Sequence, residues 1–96
     1  MSPSTIAIVR VQAFPGQAGA LGTYLGELLE QVRRQPGCES GELQALAADR
    51  WQVSTRWASQ AELDAHLSGP KAQQWLGRLG CGELALELEF ESRAAE

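Results

Sequence analysis

The sequence predicts an α+β domain of the ferredoxin-like type, with elements in the order β-α-β-β-α-β. Two observations support this prediction. Apolar residues change from the alternating spacing of strands to the three-to-four-residue spacing of helices and back, and turn residues separate these segments. Right-handed, uncrossed connections then give one antiparallel sheet with its helices on one face. A chain of 96 residues has room for a single domain, with a core over about residues 5–92.

The first strand is predicted over Thr5–Phe14, which is rich in β-branched residues and ends at the turn signal Pro15-Gly16. The first helix is predicted over Gln17–Gln35, because its apolar residues then share one face. These residues are Leu21, Tyr24, Leu25, Leu28, Leu29 and Val32. The sequence Gln35-Pro36-Gly37 ends this helix.

Two strands are predicted next, over Cys38–Ala47 and Arg50–Trp57, and the tight connection Ala48-Asp49 joins them as a hairpin. In the second of these strands, alternate residues divide between two faces. One face carries Trp51, Val53, Thr55 and Trp57, and the other carries Gln52, Ser54 and Arg56.

The second helical region consists of two short helices. Ser59 and Glu62 form a capping-box pattern at the start of a helix that runs through Leu67, and Pro70 opens the next helix. That helix directs Ala72, Trp75, Leu76 and Leu79 inward. After a Gly80-Cys81-Gly82 loop, the last strand is predicted over Glu83–Ser92, with leucines and Phe90 alternating with glutamates.

Composition excludes several classes of function. The net charge of −4 and pI of about 4.9 disfavour a nucleic-acid footprint or an anionic membrane surface. No apolar run approaches the length of a transmembrane helix, and Met1–Thr5 lacks the basic start of a signal peptide. Cys38, Cys81 and His66 are too few for a disulfide scaffold or a protein-only metal site. We therefore expect a cytoplasmic protein with free thiols.

The sheet face away from the helices carries many polar residues together with Ile6 and Ile8. A solvated face is one interpretation. The favoured interpretation is a homodimer in which two such faces close into a shared barrel. Charged residues would then pair across the seam, Arg10 and Arg56 with Glu87 and Glu89.

Candidate functional residues are few. Tyr24, Trp57 and Trp75 each have a polar tip and point into the same small interior as His66, the single histidine. Each residue alone fits an ordinary core position, but the combination is typical of a pocket for a flat aromatic ligand. The pKa of His66 would suit proton transfer near neutral pH. Three helix glycines, Gly19, Gly22 and Gly26, indicate either a close approach of another element or simple tolerance.

Two segments carry a resemblance to a known family. They are Gln35-Pro36-Gly37-Cys38 and the run Trp57-Ala58-Ser59-Gln60-Ala61-Glu62-Leu63-Asp64-Ala65-His66-Leu67-Ser68-Gly69-Pro70. Together with Val9-Arg10-Val11 and Phe14-Pro15-Gly16, they resemble the antibiotic biosynthesis monooxygenase domain over about residues 5–92. The resemblance implies a dimeric α/β barrel of two ferredoxin-like subunits.

The resemblance also implies oxidation of aromatic quinols or anthrones by O2 without metal or flavin. The substrate would lie between helices and sheet and be deprotonated to a phenolate-like anion before electrons pass to O2. Trp57 matches the family tryptophan at the strand end and would line the pocket. His66 matches the histidine of the second helix and would act as a general base or anion partner, with Tyr24, Trp75 and Val9 as further substrate-binding residues.

Two departures from the family pattern limit what the resemblance implies about activity. The related haem-degrading branch uses a first-strand asparagine and a haem-ligating histidine, and Val9 and Trp75 stand at or near those positions, which disfavours haem degradation. The chain contains no asparagine, so a mechanism that uses one cannot operate unchanged. A non-catalytic dimeric barrel that binds a small hydrophobic molecule is the alternative hypothesis.

Overall fold

A computed structural model describes residues 4–79 and 85–94. The strands and helices follow each other in the predicted order, and the second helical region consists of two helices. Their bounds are β1 Thr5–Ala13, α1 Ala18–Val32, β2 Cys38–Ala47, β3 Arg50–Trp57, α2 Gln60–Leu67, α3 Pro70–Leu79 and β4 Ala85–Ala94.

The strands form one sheet in the order β2-β3-β1-β4, and each neighbouring pair is antiparallel. This is the ferredoxin-like arrangement, and the α+β fold predicted from the sequence is confirmed. Register supports the predicted division into faces: Val9 lies opposite both Val53 and Phe90, and Arg10 lies opposite Gln52 and Glu89. Apolar and polar residues therefore occupy opposite sides of the central strands.

Element ends differ from the prediction by a few residues. Helix α1 is shorter at both ends than the predicted Gln17–Gln35, because Gln17 is its N-cap and Arg33 its C-cap. The chain then turns at Gly37, whose φ of +87° favours glycine. Strand β4 extends to Ala94, beyond the predicted Ser92, while the predicted start of that strand and the Gly80-Cys81-Gly82 loop lie outside the described residues.

Two groups of buried side chains make up the core on the helix side of the sheet. The larger group joins α1 to the middle of the sheet through Leu21, Leu25, Val11 and Val53. The smaller group joins α2 to the other end of the sheet through Leu63 and Trp57. Burying such side chains stabilises the fold by roughly 1.5–3 kcal/mol each.

The helix glycines differ in their surroundings. A Cβ atom at Gly22 would lie 2.5 Å from Cζ2 of Trp51, so α1 approaches β3 closely at this point. The Trp51 indole N–H also donates to the carbonyl of Ala18 at 3.1 Å. At Gly26 the nearest atom is 4.0 Å away and at Gly19 nothing lies within 4 Å. A close approach therefore explains Gly22, and the structure gives no packing reason for Gly19.

The outer face of the sheet holds ion pairs within the chain. Arg10 contacts Glu91 at 3.2 Å and Gln52 at 3.1 Å, and Arg56 contacts Glu39 at 3.5 Å. Both arginines thus have partners other than Glu87 and Glu89. Ile8 is 5% exposed in the single chain, so it does not require a second copy to cover it.

Strand β4 exposes apolar side chains on the helix side of the sheet. Its register places Leu88 opposite the buried Val11, and Phe90 opposite Val9. Leu86, Leu88 and Phe90 are nevertheless 54%, 38% and 46% exposed. Their alternation with glutamates predicts a half-buried strand, yet the helices pack over the neighbouring strands and leave this one uncovered.

Candidate functional site

A cavity of about 70 Å³ lies between the helices and the sheet. Strands β1 and β3 form its floor, α1 one wall, and α2 and α3 the other, while Phe90 reaches it from β4. The lining side chains are mostly aliphatic. They include Ala7, Val9, Leu25, Leu28, Val32, Val53, Thr55, Trp57, Leu63, His66, Leu67, Ala72, Trp75, Leu76, Leu79 and Phe90. The half-exposed Phe90 marks the side where the cavity meets solvent.

Trp57 lies at the end of β3 and is the largest fully buried side chain, with 1% exposure. Its place on the helix side of the sheet follows from strand alternation, as the sequence indicates. Its indole N–H donates to Oγ1 of Thr55 at 2.9 Å. That bond satisfies the only polar atom of the ring and fixes the ring against the cavity.

His66 lies on α2, and local capping sets the start of that helix. Ser59 accepts a hydrogen bond from the backbone N–H of Glu62, which confirms one half of the predicted capping box. Seven residues after this cap, the imidazole stacks on Trp57, with ring centroids 4.8 Å apart and planes at 25°. The Trp75 ring also lies near the imidazole, with ring centroids 5.7 Å apart and planes at 45°.

Burial lowers the pKa of His66 below its usual value of 6.5, because the charged imidazolium is poorly solvated in this environment. Within the described residues, neither imidazole nitrogen has a hydrogen-bond partner. A neutral imidazole of this kind offers one lone pair and one N–H to a ligand.

His66 also borders a second depression, on the surface. Gln35, Pro36, Glu62 and Ala65 complete the walls of this depression. The imidazole therefore borders both the cavity and this second depression.

Four of the five site residues singled out in the sequence line the same cavity, namely Val9, Trp57, His66 and Trp75. Tyr24 is not among the lining residues. It packs against the α1 side of the core, where the Arg78 guanidinium lies 5.3 Å from the centroid of its ring. The three-to-four-residue helical spacing groups Tyr24 with Leu28, but the residues of α1 that line the cavity are Leu25, Leu28 and Val32.

Sequence reasoning missed two lining residues that contribute more than aliphatic bulk. Thr55 is 8% exposed and shares a strand face with Trp57, and the half-exposed Phe90 lines the β4 side. The spacing of Thr55 from Trp57 is the signal that could have revealed it, since residues i and i+2 share a face of a strand.

No charged side chain other than a protonated His66 would line the cavity within the described residues. Within the same residues, no three His, Cys, Asp or Glu side chains gather as a metal site. None of the helices described is long and apolar enough to span a membrane.

Comparison with other proteins supplies a family context. A sequence model of the antibiotic biosynthesis monooxygenases matches residues 4–78. No curated protein matches the chain.

Solved structures share the fold at low sequence identity. A Shewanella oneidensis protein aligns with a TM-score of 0.87 and 20% identity, covering 99% of this chain and 93% of that one. A Nitrosomonas europaea protein of unknown function aligns with a TM-score of 0.82 and 22% identity, and the alignment covers 97% of this chain and 89% of that one. A Chloroflexus aurantiacus protein aligns with a TM-score of 0.71 and 27% identity, and the alignment covers 97% of this chain and 93% of that one. The name of that protein places it among antibiotic biosynthesis monooxygenases.

Proposed function

Because this chain belongs to the antibiotic biosynthesis monooxygenase family, we propose that it oxidises a small aromatic quinol or anthrone-like substrate with O2. The observation that carries the proposal is the environment of His66. It is the single titratable side chain among the described residues that line the cavity, and it lies against the faces of Trp57 and Trp75. A flat ring bound there would place its hydroxyl within reach of a neutral base.

The chemistry assigns each group a limited task. His66 takes the proton of an aromatic hydroxyl, and the resulting phenolate is a far better electron donor to O2 than the phenol is. For a hydroquinone the balance is hydroquinone and O2 giving a hydroxyquinone and water, so one oxygen atom enters the ring and the other leaves as water. Trp57 and Trp75 hold the ring, and the apolar walls exclude water that would stabilise the substrate anion.

The size of the cavity favours a small substrate. An apolar cavity of about 150 Å³ accommodates one benzene ring, and the enclosed space here is about 70 Å³. A ligand must therefore project through the open side near Phe90 or displace side chains. Single-ring quinols need less displacement than tricyclic anthrones, so we rank them first within the proposed substrate class.

A non-catalytic role is the second candidate, and one observation favours it. No amide or permanently charged group lies among the described lining residues to stabilise an oxyanion alongside His66. A pocket with this composition binds a small hydrophobic molecule without needing to transform it.

The deciding experiment is oxygen uptake by metal-stripped protein supplied with substituted hydroquinones and with anthrone. We expect enzyme-dependent uptake that survives a chelator, is faster with single-ring quinols, and falls at least tenfold in His66→Gln. Trp51→Phe serves as the matched control, because Trp51 lies outside the cavity. Uptake that never exceeds the spontaneous rate, while the quinols still bind, would replace the oxygenase by the binding role.

We also propose that the protein works as a homodimer built on its sheets. Arg10 and Arg56 have carboxylate partners in their own chain, whereas Glu87 and Glu89 have no ion-pair partner among the described residues. These four residues of the outer face remain the proposed polar part of the seam. The apolar part that supports the proposal lies on the helix side of β4, an edge strand, so the second copy would wrap around that edge.

The strip formed by Leu86, Leu88 and Phe90 is unusually exposed for a chain of this size. A second copy covering β4 would bury the strip and the open side of the cavity at Phe90 together. We expect a dimer by sedimentation at micromolar concentration, and dissociation in Leu86→Ser with Leu88→Ser. Thr23→Ser, on the exposed side of α1, should leave the dimer intact. A monomeric wild-type protein would rule the dimer out.

A further inference from the structure

The apolar walls of the cavity contain one buried hydroxyl group, that of Thr55. The residue lies in the middle of β3, opposite Ala7 of β1 and Gly41 of β2. Its γ-methyl group faces the β2 side, since a Cβ atom built on Gly41 would lie 3.5 Å from Cγ2. The hydroxyl and the methyl of this side chain therefore face different surroundings.

The hydrogen-bonding capacity of Thr55 is only partly used. A hydroxyl has one proton to donate and two lone pairs that accept. One lone pair accepts the indole N–H of Trp57 at 2.9 Å. Within residues 4–79 and 85–94, the hydroxyl donates to no acceptor. Buried donors normally have partners, so this proton is available to something that enters the cavity.

Trp57 connects this hydroxyl to His66. The indole bonds Thr55 through its N–H edge and stacks on His66 through its face. The two polar groups of the cavity thus flank one rigid ring. Because the indole N–H can only donate, it obliges Thr55 to accept on that side and leaves the threonine proton for a ligand.

We propose that Thr55 is a specificity-determining residue that donates a hydrogen bond to an acceptor oxygen of the ligand, a phenolate or a quinone carbonyl. The inference deepens the proposed function, since it concerns the same cavity. It identifies the ligand class as aromatic molecules with an acceptor oxygen, and it disfavours hydrocarbons of equal shape. His66 would hold or take the proton, and Thr55 would recognise the oxygen.

The test compares two ligands of nearly equal shape, acetophenone and α-methylstyrene, which differ by a carbonyl oxygen against a methylene group. Their dissociation constants are measured calorimetrically in the absence of O2. In Thr55→Val we expect acetophenone to bind about 5- to 10-fold more weakly, the usual worth of one hydrogen bond. Binding of α-methylstyrene should change less than twofold.

Two further variants separate the loss of the hydroxyl group from any effect of substitution on folding. Thr55→Ser retains the hydroxyl and should restore acetophenone binding to within about twofold, and Thr23→Val is the matched threonine control on the surface of α1. Thermal melts establish that each variant is folded at the assay temperature. The indole N–H resonance of Trp57 should shift in Thr55→Val and return in Thr55→Ser.

The possible failures are distinguishable. Equal weakening of both ligands in Thr55→Val, or none, would overturn the role of Thr55 while leaving oxygen uptake dependent on His66 untouched. Failure of both ligands to bind the wild-type protein would overturn this inference and the aromatic pocket together. Oxygen uptake that is absent while Thr55→Val discriminates the two ligands would support this inference and remove only the oxygenase activity.

Discussion

Trp51 and Trp57 share one face of β3, six residues apart, yet they have opposite surroundings. Trp51 donates to the Ala18 carbonyl and contacts α1 at Gly22, so that the helix and the strand are closely packed at this point. Trp57 donates to Thr55 and stacks on His66 beside an open cavity. Trp51 therefore helps to hold α1 against the sheet, and Trp57 forms part of the candidate site.

The difference originates in the helix that packs over each ring. Glycine at position 22 lets α1 come down onto Trp51, and the contact is filled. Over Trp57 the covering helices are the short α2 and α3, which present His66 and Trp75 rather than a continuous aliphatic face. Two short helices, interrupted at Ser68 and Gly69, leave space that one continuous helix would fill.

The largest expected effect is that of Trp57→Ala. Removing a fully buried indole costs about 3–5 kcal/mol of folding free energy, which is a large share of the stability of a 96-residue chain. Trp51→Ala should cost less, because Trp51 is only half-buried. Urea denaturation of both variants measures the difference, and an equal or larger loss at Trp51 would contradict this account. Functional tests at position 57 are therefore better made with Trp57→Phe.

Gly22→Ala should have the next largest effect on stability. The new methyl group would overlap the Trp51 ring, which typically costs 1–3 kcal/mol, and the helix-propensity gain of about 1 kcal/mol offsets only part of it. Gly19→Ala is the matched control and should stabilise by up to about 1 kcal/mol, since nothing lies near it. Thermal denaturation reports both. Stabilisation at both positions would mean that the Trp51 ring moves aside easily.

A smaller effect is expected on the pKa of His66. Trp75→Ala removes one of the two rings that bury the imidazole, so its pKa should rise towards 6.5. Trp51→Phe should leave it unchanged. NMR titration of the imidazole Cε1 proton measures the shift directly, and a pKa that does not move in Trp75→Ala would assign the desolvation to Trp57 instead.

The smallest effect is a pH dependence of stability. The folded-state pKa of His66 lies below its unfolded value, so the unfolded chain binds the proton more readily. The stability contributed by the neutral imidazole is therefore fully present above about pH 6.5 and decreases as the pH falls through the folded pKa. Comparing the urea midpoints of wild type and His66→Gln between pH 7.5 and 5 isolates this contribution. A steeper loss of stability with falling pH in His66→Gln than in the wild type would contradict the expected direction.

Much of the fold could be predicted because local patterns carry it. The β-branched run of β1, the helical spacing of Leu21, Leu25 and Leu29, and the Ser59 cap each depend on residues close in the chain. The turn at Gly37 likewise needs only a few neighbouring residues. Such local patterns can be interpreted without knowledge of the tertiary structure.

The site was only partly predictable. Strand alternation turned Val9 and Trp57 to the helix side, and the sequence placed His66 and Trp75 on elements that could face them. Helical spacing also grouped Tyr24 with them, since it gives the broad apolar face of α1 but not which residues of that face border the cavity; Leu25 does and Tyr24 does not.

By itself, the sequence determined the order of elements, the two faces of the sheet and the residue types available for chemistry, because each follows from the periodicity of the backbone and from composition. Only the tertiary structure decided that Trp51 is packed and Trp57 borders a cavity, that the Thr55 hydroxyl accepts the Trp57 indole N–H, and that β4 exposes its leucines. Those outcomes depend on where helices meet a sheet, and contacts between residues distant in the chain set that geometry.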